Sequence, residues 1–336
     1  MRPPALDHLV CPGCHAHLQL SVESEQQAHV MEGVLHCEHC AKAYPIRKGV
    51  PRFIPAQLEP DTARTVKRFG EQWARFRELD DFYEAQFVAW IHPNSPDSFR
   101  EEVVLEAGCG KGRHSRLVAS WGAKAVFAMD LGSSVEVAFE NTQDLPNVHV
   151  VQADLRSLPF RSSAFDTAFS VGVLHHIEDP EAAFQCLVEA LKPGGRVIAW
   201  VYGRENNGWI IRGINPIRQR VTSRLPFRWV YELSKVPAAV LYGMGRGVYR
   251  PLCRGRLAPL GRRLFYQAYI NQIAEFPFSE VHNIVHDHLT PPIAHYIAGE
   301  TFRSWFTNRG LTDIRIGWHN ENSWRGTARR PRSAET

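Results

Sequence analysis

The sequence predicts a doubly wound α/β fold behind a short cysteine-rich segment, and three observations carry this prediction. Between residues 101 and 202, stretches of strand character alternate with stretches of helix character. A glycine-rich turn follows the first of these strands, and two CxxC pairs lie near the N-terminus. Strands that alternate with helices of about 10–15 residues are typical of a parallel sheet with helices on both faces.

The sequence of residues 101–202 predicts five strands and three helices in alternation. The strands are EEVVLEAG, KAVFAMD, VHVVQAD, FDTAFSVGVL and GRVIAWVYG, and the helices are GRHSRLVASWG, SSVEVAFENTQ and PEAAFQCLVEAL. After a basic segment, ETFRSWFTNRG predicts a helix that ends at Gly310. LTDIRIGW and SWRGTARR predict a terminal hairpin.

Changes in composition divide the chain into five parts. A cysteine-rich segment covers 1–56, a helical lid or linker 57–100, the alternating core 101–202, a basic helical insertion 203–298, and a final helix and hairpin 299–330. Apolar residues at spacings of three and four predict helix over 60–92. The aromatic stripe on its 65–79 part allows either a lid over a ligand or plain core packing.

The composition is that of a globular protein. Its 336 residues suit about two domains, and a hydrophobic fraction of 44% supplies a sizeable core. No apolar run approaches the roughly 20 residues that cross a bilayer. The first residues, MRPPALDHLVCPGC, lack the apolar stretch of a secretory signal, so we expect the chain to stay in the cytoplasm.

Two cysteine pairs predict a zinc site. Cys11 and Cys14 form the first CxxC pair, and Cys37 and Cys40 form the second after a gap of 22 residues. Such pairs place four thiolates tetrahedrally around zinc, and a segment this short depends on the metal for its folding. Four ligands leave no open position, so the zinc is expected to be structural. The neighbouring histidines, which are alternative ligands, are His15, His17, His36 and His39.

The turn after the first core strand reads Glu106-Ala-Gly108-Cys-Gly110-Lys-Gly112. A glycine-rich turn after a strand lets a ligand approach the backbone at a helix N-terminus. The dinucleotide-binding fingerprint would need glycine at position 113, where this chain has Arg113. The pattern is therefore acid-x-G-x-G-x-G.

This pattern resembles the first motif of the class I S-adenosylmethionine-dependent methyltransferases. The resemblance extends over residues 101–202. It includes Asp130 at the end of the second strand, Asp154 at the end of the third, the segment FDTAFSVGVLHHIEDP, and LKPGGRV before the fifth strand. It implies a seven-stranded Rossmann-like sheet and S-adenosylmethionine as the cofactor.

The resemblance also implies roles for single residues. Asp130 accepts the ribose hydroxyls, Asp154 with the backbone of Leu155 reads the adenine edge, and Glu106 faces the methionine amine. Both aspartates have the alternative of capping a turn or helix, and Cys109 is expected to be a packing residue rather than a catalytic thiol. The predicted cofactor-binding residues are Glu106, Gly108, Cys109, Gly110, Gly112, Asp130, Leu131, Asp154, Leu155, Ser170 and Val171.

Histidines are the candidates for catalysis. His175 and His176 end the fourth core strand, where they act either as a general base or as positioning groups. The segment HNIVHDHLTPPIAHY, predicted as a rigid loop, contains His288. This loop is interpreted as an acceptor pocket, a second metal site, or a polar cover of the core.

The segment from Arg204 to Arg263 is strongly basic. It carries twelve arginines and one lysine against Glu205 and Glu232, a net charge of +11. Three functional interpretations stay open: contact with RNA phosphates, peripheral contact with an anionic membrane, or recognition of an anionic small acceptor. The fourth is structural, with arginines extending over their own core.

The N-terminal sequence LVCPGC…LHCEHCAKAYPIRKGVPRFIP resembles the zinc-ribbon activator subunit of tRNA and protein methyltransferases. A bacterial ribosomal-RNA guanine methyltransferase is similar in layout, although its fourth zinc ligand is histidine. The catalytic core resembles the ubiquinone and menaquinone methyltransferases. These resemblances imply a methyltransferase whose domain order is ribbon first and catalytic core second.

Three functions remain in competition. The sequence favours methyl transfer to a small or lipid-like metabolite. The first alternative is an RNA methyltransferase, acting on rRNA or tRNA, that uses the ribbon as a substrate arm. In place of an N-P-P-[FY] tetrapeptide the chain has Gly172-Val173-Leu174-His175, which disfavours methylation of exocyclic base amines. The second alternative is a non-catalytic scaffold that binds the cofactor.

Overall fold

The computed structural model describes residues 1–254, 256 and 258–332. Residues 255 and 257, within the predicted insertion, lie outside the described part. The strands are β1 (Leu18–Gln26), β2 (His29–Cys37), β3 (Ala43–Arg47), β4 (Val50–Phe53), β5 (Val103–Ala107), β6 (Ala125–Asp130), β7 (Val148–Ala153), β8 (Phe165–Val171), β9 (Leu191–Tyr202), β10 (Thr312–His319) and β11 (Ser323–Arg329).

The helices follow the predicted alternation in the core and fill the insertion. They are α1 (Pro60–Arg75), α2 (Phe82–Ile91), α3 (Arg113–Ser120), α4 (Ser134–Thr142), α5 (Pro180–Ala190), α6 (Asn215–Arg220), α7 (Phe227–Met244), α8 (Arg250–Leu252), α9 (Ala258–Gly261), α10 (Gln267–Ile273), α11 (Phe278–Leu289) and α12 (Gly299–Thr307). Within the described residues, no helix is long and apolar enough to cross a membrane.

The strands form one sheet in the order β1-β2-β3-β4-β7-β6-β5-β8-β9-β11-β10. The predicted seven-stranded Rossmann-like sheet is confirmed as its part from β7 to β10. Strands β5 to β9 are parallel, and β11 runs antiparallel to both of its neighbours. The strand order reverses between β5 and β8, which leaves a crevice at their carboxyl ends.

The central strands are buried on both faces, which explains their continuous apolar sequence. Successive side chains point to opposite sides of the sheet. Leu105 and Phe127 belong to the core on one side, and Val104 and Val126 belong to the core on the other. Each layer of helices therefore covers its own apolar face.

The N-terminal ribbon is continuous with the catalytic sheet. Strand β4 pairs in parallel with β7, with Arg52 opposite Gln152 and Phe53 opposite Ala153. The Arg52 guanidinium also donates to the Gln152 side chain (2.6 Å). Residues of the ribbon such as Leu35 share one apolar core with β5 to β9. The ribbon is therefore docked as an extension of the sheet.

The predicted single helix over 60–92 is wrong, because the structure has two helices with a break at 76–81. The carbonyls of Phe76 and Glu78 accept hydrogen bonds from the buried ammonium of Lys111 (2.9 and 2.6 Å). Lys111 thereby holds carbonyl groups at the break. The spacing of apolar residues over 60–92 contains no information about a lysine that is distant in the chain.

The predicted loop over HNIVHDHLTPPIAHY is also wrong in its first half, which belongs to α11. The polar side chains that suggested a loop are used in packing against α7. The imidazole of His282 lies 2.9 Å from both the Ser234 hydroxyl and the Tyr231 carbonyl. The helix ends at Leu289, just before two prolines that cannot continue it.

Candidate active site

A cavity of about 230 Å³ opens over the carboxyl ends of β5, β6, β7 and β8. This is the edge where doubly wound sheets bind ligands. Helix α1 contributes one wall, α10 and α11 of the insertion contribute another, and the turn between β10 and β11 closes one side. The cavity is therefore bounded by elements from every part of the chain except the ribbon.

The glycine turn exposes bare backbone to this cavity. Gly108 has a φ of +85°, and a Cβ there would collide with the Val173 side chain. Gly110 has a φ of +52°, and a Cβ there would lie 2.9 Å from the indole nitrogen of Trp73. Both positions therefore require glycine for conformation and for space.

Asp130 joins the glycine turn to the next loop while lining the cavity. Its two carboxylate oxygens accept the N–H groups of Gly110 (2.9 Å) and Gly132 (2.8 Å). A carboxylate has about four acceptor positions, so two remain for ligand hydroxyls. The predicted ribose contact and the alternative structural role are thus geometrically compatible.

Asp154 lines the cavity at the end of β7, together with Leu155. Its carboxylate accepts the backbone N–H of Arg156 (2.9 Å) and pairs with the guanidinium of the same residue (2.8 Å). The carboxylate therefore both shapes a turn and stands in the cavity wall, where the adenine edge was predicted.

Most, but not all, of the predicted cofactor residues reach the cavity. Eight of them line it: Gly108, Cys109, Gly110, Asp130, Leu131, Asp154, Leu155 and Val171. Three are outside the wall. Gly112 is the N-cap residue before α3, the Ser170 hydroxyl donates to the Ala107 carbonyl (2.9 Å), and Glu106 is fully buried.

Glu106 lies beneath the wall rather than in it. Its carboxyl group bonds to the imidazole of His114 (3.0 Å) and accepts the hydroxyl of Ser115. Burial raises the pKa of Glu106 to about 8. His114 does line the cavity, so Glu106 can affect a ligand only indirectly, through its hydrogen bond to the His114 imidazole. Burial also raises the pKa of Cys109 far above its usual range, which agrees with a packing role.

The three candidate catalytic histidines are placed differently. His176 lines the cavity, whereas His175, which is buried, and His288, which is half-buried, lie against Tyr202 and do not line it. The ring of His175 lies 4.1 Å from that of Tyr202, and the ring of His288 is stacked on it at 5.3 Å. Burial lowers the pKa of His175 far below its usual value and that of His288 to about 4. Of the three, only His176 faces the cavity.

The environment of His176 fixes its tautomer. Its Nδ1 lies 2.7 Å from the Ile293 carbonyl, which only accepts hydrogen bonds, so Nδ1 carries the proton. Nε2 is then left with a lone pair. Burial lowers the pKa of this imidazole to about 3, so the ring stays neutral near pH 7. A neutral acceptor with so low a pKa is suited to orienting a substrate hydrogen more than to removing it.

Sequence reasoning missed the far end of the cavity. Tyr202, at the end of β9, donates its hydroxyl to Asp287 of α11 (2.9 Å), and both line the wall. Their separation in the chain hides this pairing. The position of Tyr202 at the carboxyl end of a core strand is the one signal that pointed to it.

The wall formed by α1 is fixed by buried polar contacts that the sequence did not reveal. The Gln72 amide donates to Asn283 of α11 (2.8 Å). Lys111 of the glycine turn also donates to the Tyr83 hydroxyl (2.9 Å), and burial lowers its pKa to about 8. Arg113 lies over the Tyr83 ring at 4.7 Å. These contacts connect the glycine turn to the break after α1 and to α2.

The four cysteines of the ribbon fit zinc. Their sulfur atoms all lie within 4.8 Å of one another, with Cys11 and Cys40 at 3.5 Å and Cys14 and Cys37 at 3.4 Å. A tetrahedral site with Zn–S bonds of about 2.3 Å needs sulfurs about 3.8 Å apart. The Tyr44 hydroxyl lies 3.1 Å from the Cys11 sulfur, where it supports the thiolate.

The zinc site is separate from the cavity, since none of its four cysteines lines that wall. In the described part of the chain, this is the one cluster arranged to hold a metal. The second metal site considered for the histidines of α11 is therefore not formed. The closed four-cysteine site is structural.

Comparisons with known families agree with this arrangement. The family described as a methyltransferase domain matches residues 105–199. The family described as Trm112p-like protein matches residues 3–49. The first match covers the glycine turn and the parallel strands, and the second covers the zinc ribbon.

The curated relatives include tRNA U34 carboxymethyltransferases. That of Cellvibrio japonicus is 33% identical over 137 residues, which are 39% of this chain and 42% of that protein. That of Vibrio cholerae is 33% identical over 201 residues, which are 59% of this chain and 53% of that protein. The chain thus spans about half, or less, of the length of these relatives.

Solved structures cover more of the chain at lower similarity. The complex between the Haloferax volcanii Trm112 methyltransferase activator and a methyltransferase has 15% identity and a TM-score of 0.45, covering 81% of this chain and 100% of that one. An S-adenosylmethionine-dependent methyltransferase of Methanococcus maripaludis has the same identity and TM-score, covering 84% and 100%. From its sheet, its glycine turn and its two family matches, the chain contains a class I S-adenosylmethionine-dependent methyltransferase domain over residues 105–199 and a Trm112-like domain over residues 3–49.

Proposed function

We propose that the chain transfers a methyl group from S-adenosylmethionine to tRNA. The observation that carries the transfer is one continuous cavity, which has Asp130, Asp154 and bare glycine backbone at one end and a second polar set at the other. That second set contains His176, Tyr202 and Asp287. A cofactor at the first end would present its methyl group to an acceptor at the second.

The bound cofactor would supply a methyl group already activated on sulfonium, so the chain has to align the acceptor and exclude water. Asp130 binds the ribose hydroxyls with its two open acceptor positions. The Nε2 lone pair of His176 orients a donor group of the acceptor. Tyr202, held by Asp287, fixes the opposite side of the acceptor pocket.

The choice of tRNA is supported by the curated relatives, which are tRNA U34 carboxymethyltransferases. These relatives favour RNA over the small metabolite that the sequence suggested first. The Trm112-like ribbon, docked beside the core sheet, fits the alternative in which the ribbon serves as a substrate arm.

The decisive experiment incubates the purified protein with methyl-labelled cofactor and fractionated cell extract. We expect label in a tRNA fraction that nuclease treatment releases. Mass analysis of the nucleosides then distinguishes a methyl from a carboxymethyl product. Asp130→Ala, which should incorporate less label at limiting cofactor, is the impaired variant, and Asp144→Ala, which changes a surface carboxylate paired with Arg116, is the matched active control.

A lipid-like acceptor is the second candidate. It is favoured by Ile273, Phe276 and Ile284, which make part of the cavity wall apolar. Label in the solvent-extractable fraction rather than in RNA would select it. Cofactor binding without label in any fraction would contradict both proposals and leave the scaffold alternative.

A further inference from the structure

Helix α7 has an apolar stripe on its solvent side. Its members are Trp229, Leu233, Val236, Val240 and Met244, which are 56%, 55%, 69%, 58% and 41% exposed. Their spacings of four, three, four and four residues place them along one side of the helix. Five large apolar side chains in line on a solvent-facing surface are unusual for a soluble domain.

The stripe is not the side by which α7 packs on the protein. A different side of the helix, about 120° around its axis, buries Val230, Ser234 and Ala238, and Ser234 is bonded to His282 of α11. Helix α7 therefore has a core face and a second, unpartnered apolar face. Of the fourteen large apolar residues exposed in the described chain, twelve lie between 209 and 278.

Exposed arginines flank the stripe along the chain. Arg220, Arg224 and Arg228 precede it, and Arg246 follows it. Of the two acids in this basic segment, Glu205 accepts the N–H groups of Gly299 and Trp324, and Glu232 lies on α7 itself, where Lys235 neutralises its charge (2.7 Å). The surface around the stripe is therefore cationic.

We propose that this surface, the α7 face, binds the surface of an anionic phospholipid bilayer. We define the α7 face as the five apolar residues of the stripe together with Arg220, Arg224, Arg228 and Arg246. A helix with an apolar stripe and flanking arginines lies in the membrane interface, with its apolar side chains among the acyl chains and its cations at the headgroups. The α7 face would lie in the plane of this interface.

Two other occupants fit the α7 face less well. RNA offers phosphates to the arginines, but Leu233, Val236 and Val240 can neither stack on bases nor bond to phosphates. A second copy of this chain, related by a twofold axis, would bring the arginine borders of both copies together. An anionic bilayer satisfies the charge and the apolar stripe at once.

The α7 face has a direct connection to the cavity. Helix α7 packs on α11 through His282, and α11 contributes Glu280, Asn283 and Asp287 to the cavity wall. Membrane binding would hold this wall next to the bilayer. The inference is independent of the acceptor proposed above, because it concerns where the protein sits.

Vesicle flotation with the full chain tests this inference. Vesicles of equal parts phosphatidylglycerol and phosphatidylcholine are expected to carry the protein to the top of the gradient, and vesicles of phosphatidylcholine alone are not. The double variant Val236→Glu/Val240→Glu should bind the anionic vesicles at least about tenfold more weakly. Val22→Glu/Ile54→Glu, which places the same two charges on exposed residues of the N-terminal segment, is the matched control and should bind normally.

A second pair of variants tests the charges. Arg224→Gln and Arg228→Gln should each weaken binding roughly fivefold at low salt and reduce its salt dependence. Absence of wild-type binding to anionic vesicles would overturn the inference, as would equal binding by Val236→Glu/Val240→Glu. Loss of tRNA affinity in that variant would assign the α7 face to RNA, and a change in oligomeric state would assign it to a second copy.

Discussion

At the scale of single residues, Asp130 carries two tasks with one carboxylate. It holds Gly110 and Gly132 through their N–H groups and keeps acceptor positions open towards the cavity. Sequence reasoning found this residue because an acid at the end of the second strand has a recognisable place in the motif. It did not find the bonds to the glycine turn, which depend on the folded loop.

Replacement of Asp130 by alanine should weaken cofactor binding at least about tenfold, the loss of a charge-assisted hydrogen bond. Calorimetric titration measures this change. The circular dichroism spectrum should remain that of the wild type, because β6 itself is unaltered. Asp144→Ala should bind the cofactor normally, and equal affinities for the two variants would contradict the placement of the ribose.

His176 leads to a prediction about pH. Because burial lowers its pKa to about 3, the imidazole remains neutral when the pH falls from 8 to 6. The kcat of methyl transfer should therefore show no loss from histidine protonation over this range. A histidine base with the ordinary pKa of about 6.5 would become mostly protonated at pH 6. A rate that falls along that curve would show that His176 is a proton acceptor with a normal pKa.

At the scale of elements, the core strands and helices were predictable and the insertion was not. The strands β5 to β9 are buried on both faces, so each strand can be recognised from its own run of apolar residues. The break after α1 depends on Lys111, and the helical state of α11 depends on bonds to α7. Such contacts between distant segments leave no periodic pattern in either one.

Helix α1 is a wall of the cavity, so its aromatic residues should respond to the cofactor. Trp73 lies against Gly110, where the indole fills the space that a Cβ would take. Trp73→Ala should weaken cofactor binding roughly threefold to tenfold, as expected when a half-buried aromatic contact is lost. Trp229→Ala removes the same side chain from the exposed side of α7 and should leave cofactor affinity unchanged.

The ribbon should depend on its metal. Four thiolates tie together hairpins that have little apolar core of their own, so zinc contributes directly to folding. Cys14→Ser, or treatment with a strong chelator, should lower the thermal midpoint of the whole protein, because the ribbon and β5 to β9 share one core. His15→Ala changes a neighbouring histidine and should keep both the zinc content and the midpoint.

At the scale of the whole molecule, neutral buried histidines make the fold sensitive to acid. Burial lowers the pKa of His176 and His286 to about 3 and that of His149 and His288 to about 4. Below pH 6.5 these histidines are protonated in the unfolded chain but remain neutral in the folded chain. The stability contributed by these groups is thus fully present above pH 6.5 and is lost as the pH falls towards 4.

Each such histidine changes the free energy of unfolding by about 1.4 kcal/mol per pH unit within this window. Urea unfolding should therefore show a steep loss of stability from pH 6.5 to 5 and little change from pH 8 to 7. His286→Phe suits the aromatic neighbours of that ring. This variant should show a smaller slope of unfolding free energy against pH, reduced by the contribution of one histidine. A stability that is flat down to pH 5 would show that these imidazoles are not buried.

The pairing of β4 with β7 ties the solubility of the protein to its metal. While zinc is bound, the ribbon covers the outer backbone of Gln152 and Ala153. A protein depleted of zinc would offer those N–H and C=O groups to any neighbouring molecule, and exposed strand edges recruit other chains. Turbidity and sedimenting particles would then be the first signs of zinc starvation, ahead of any loss of helix.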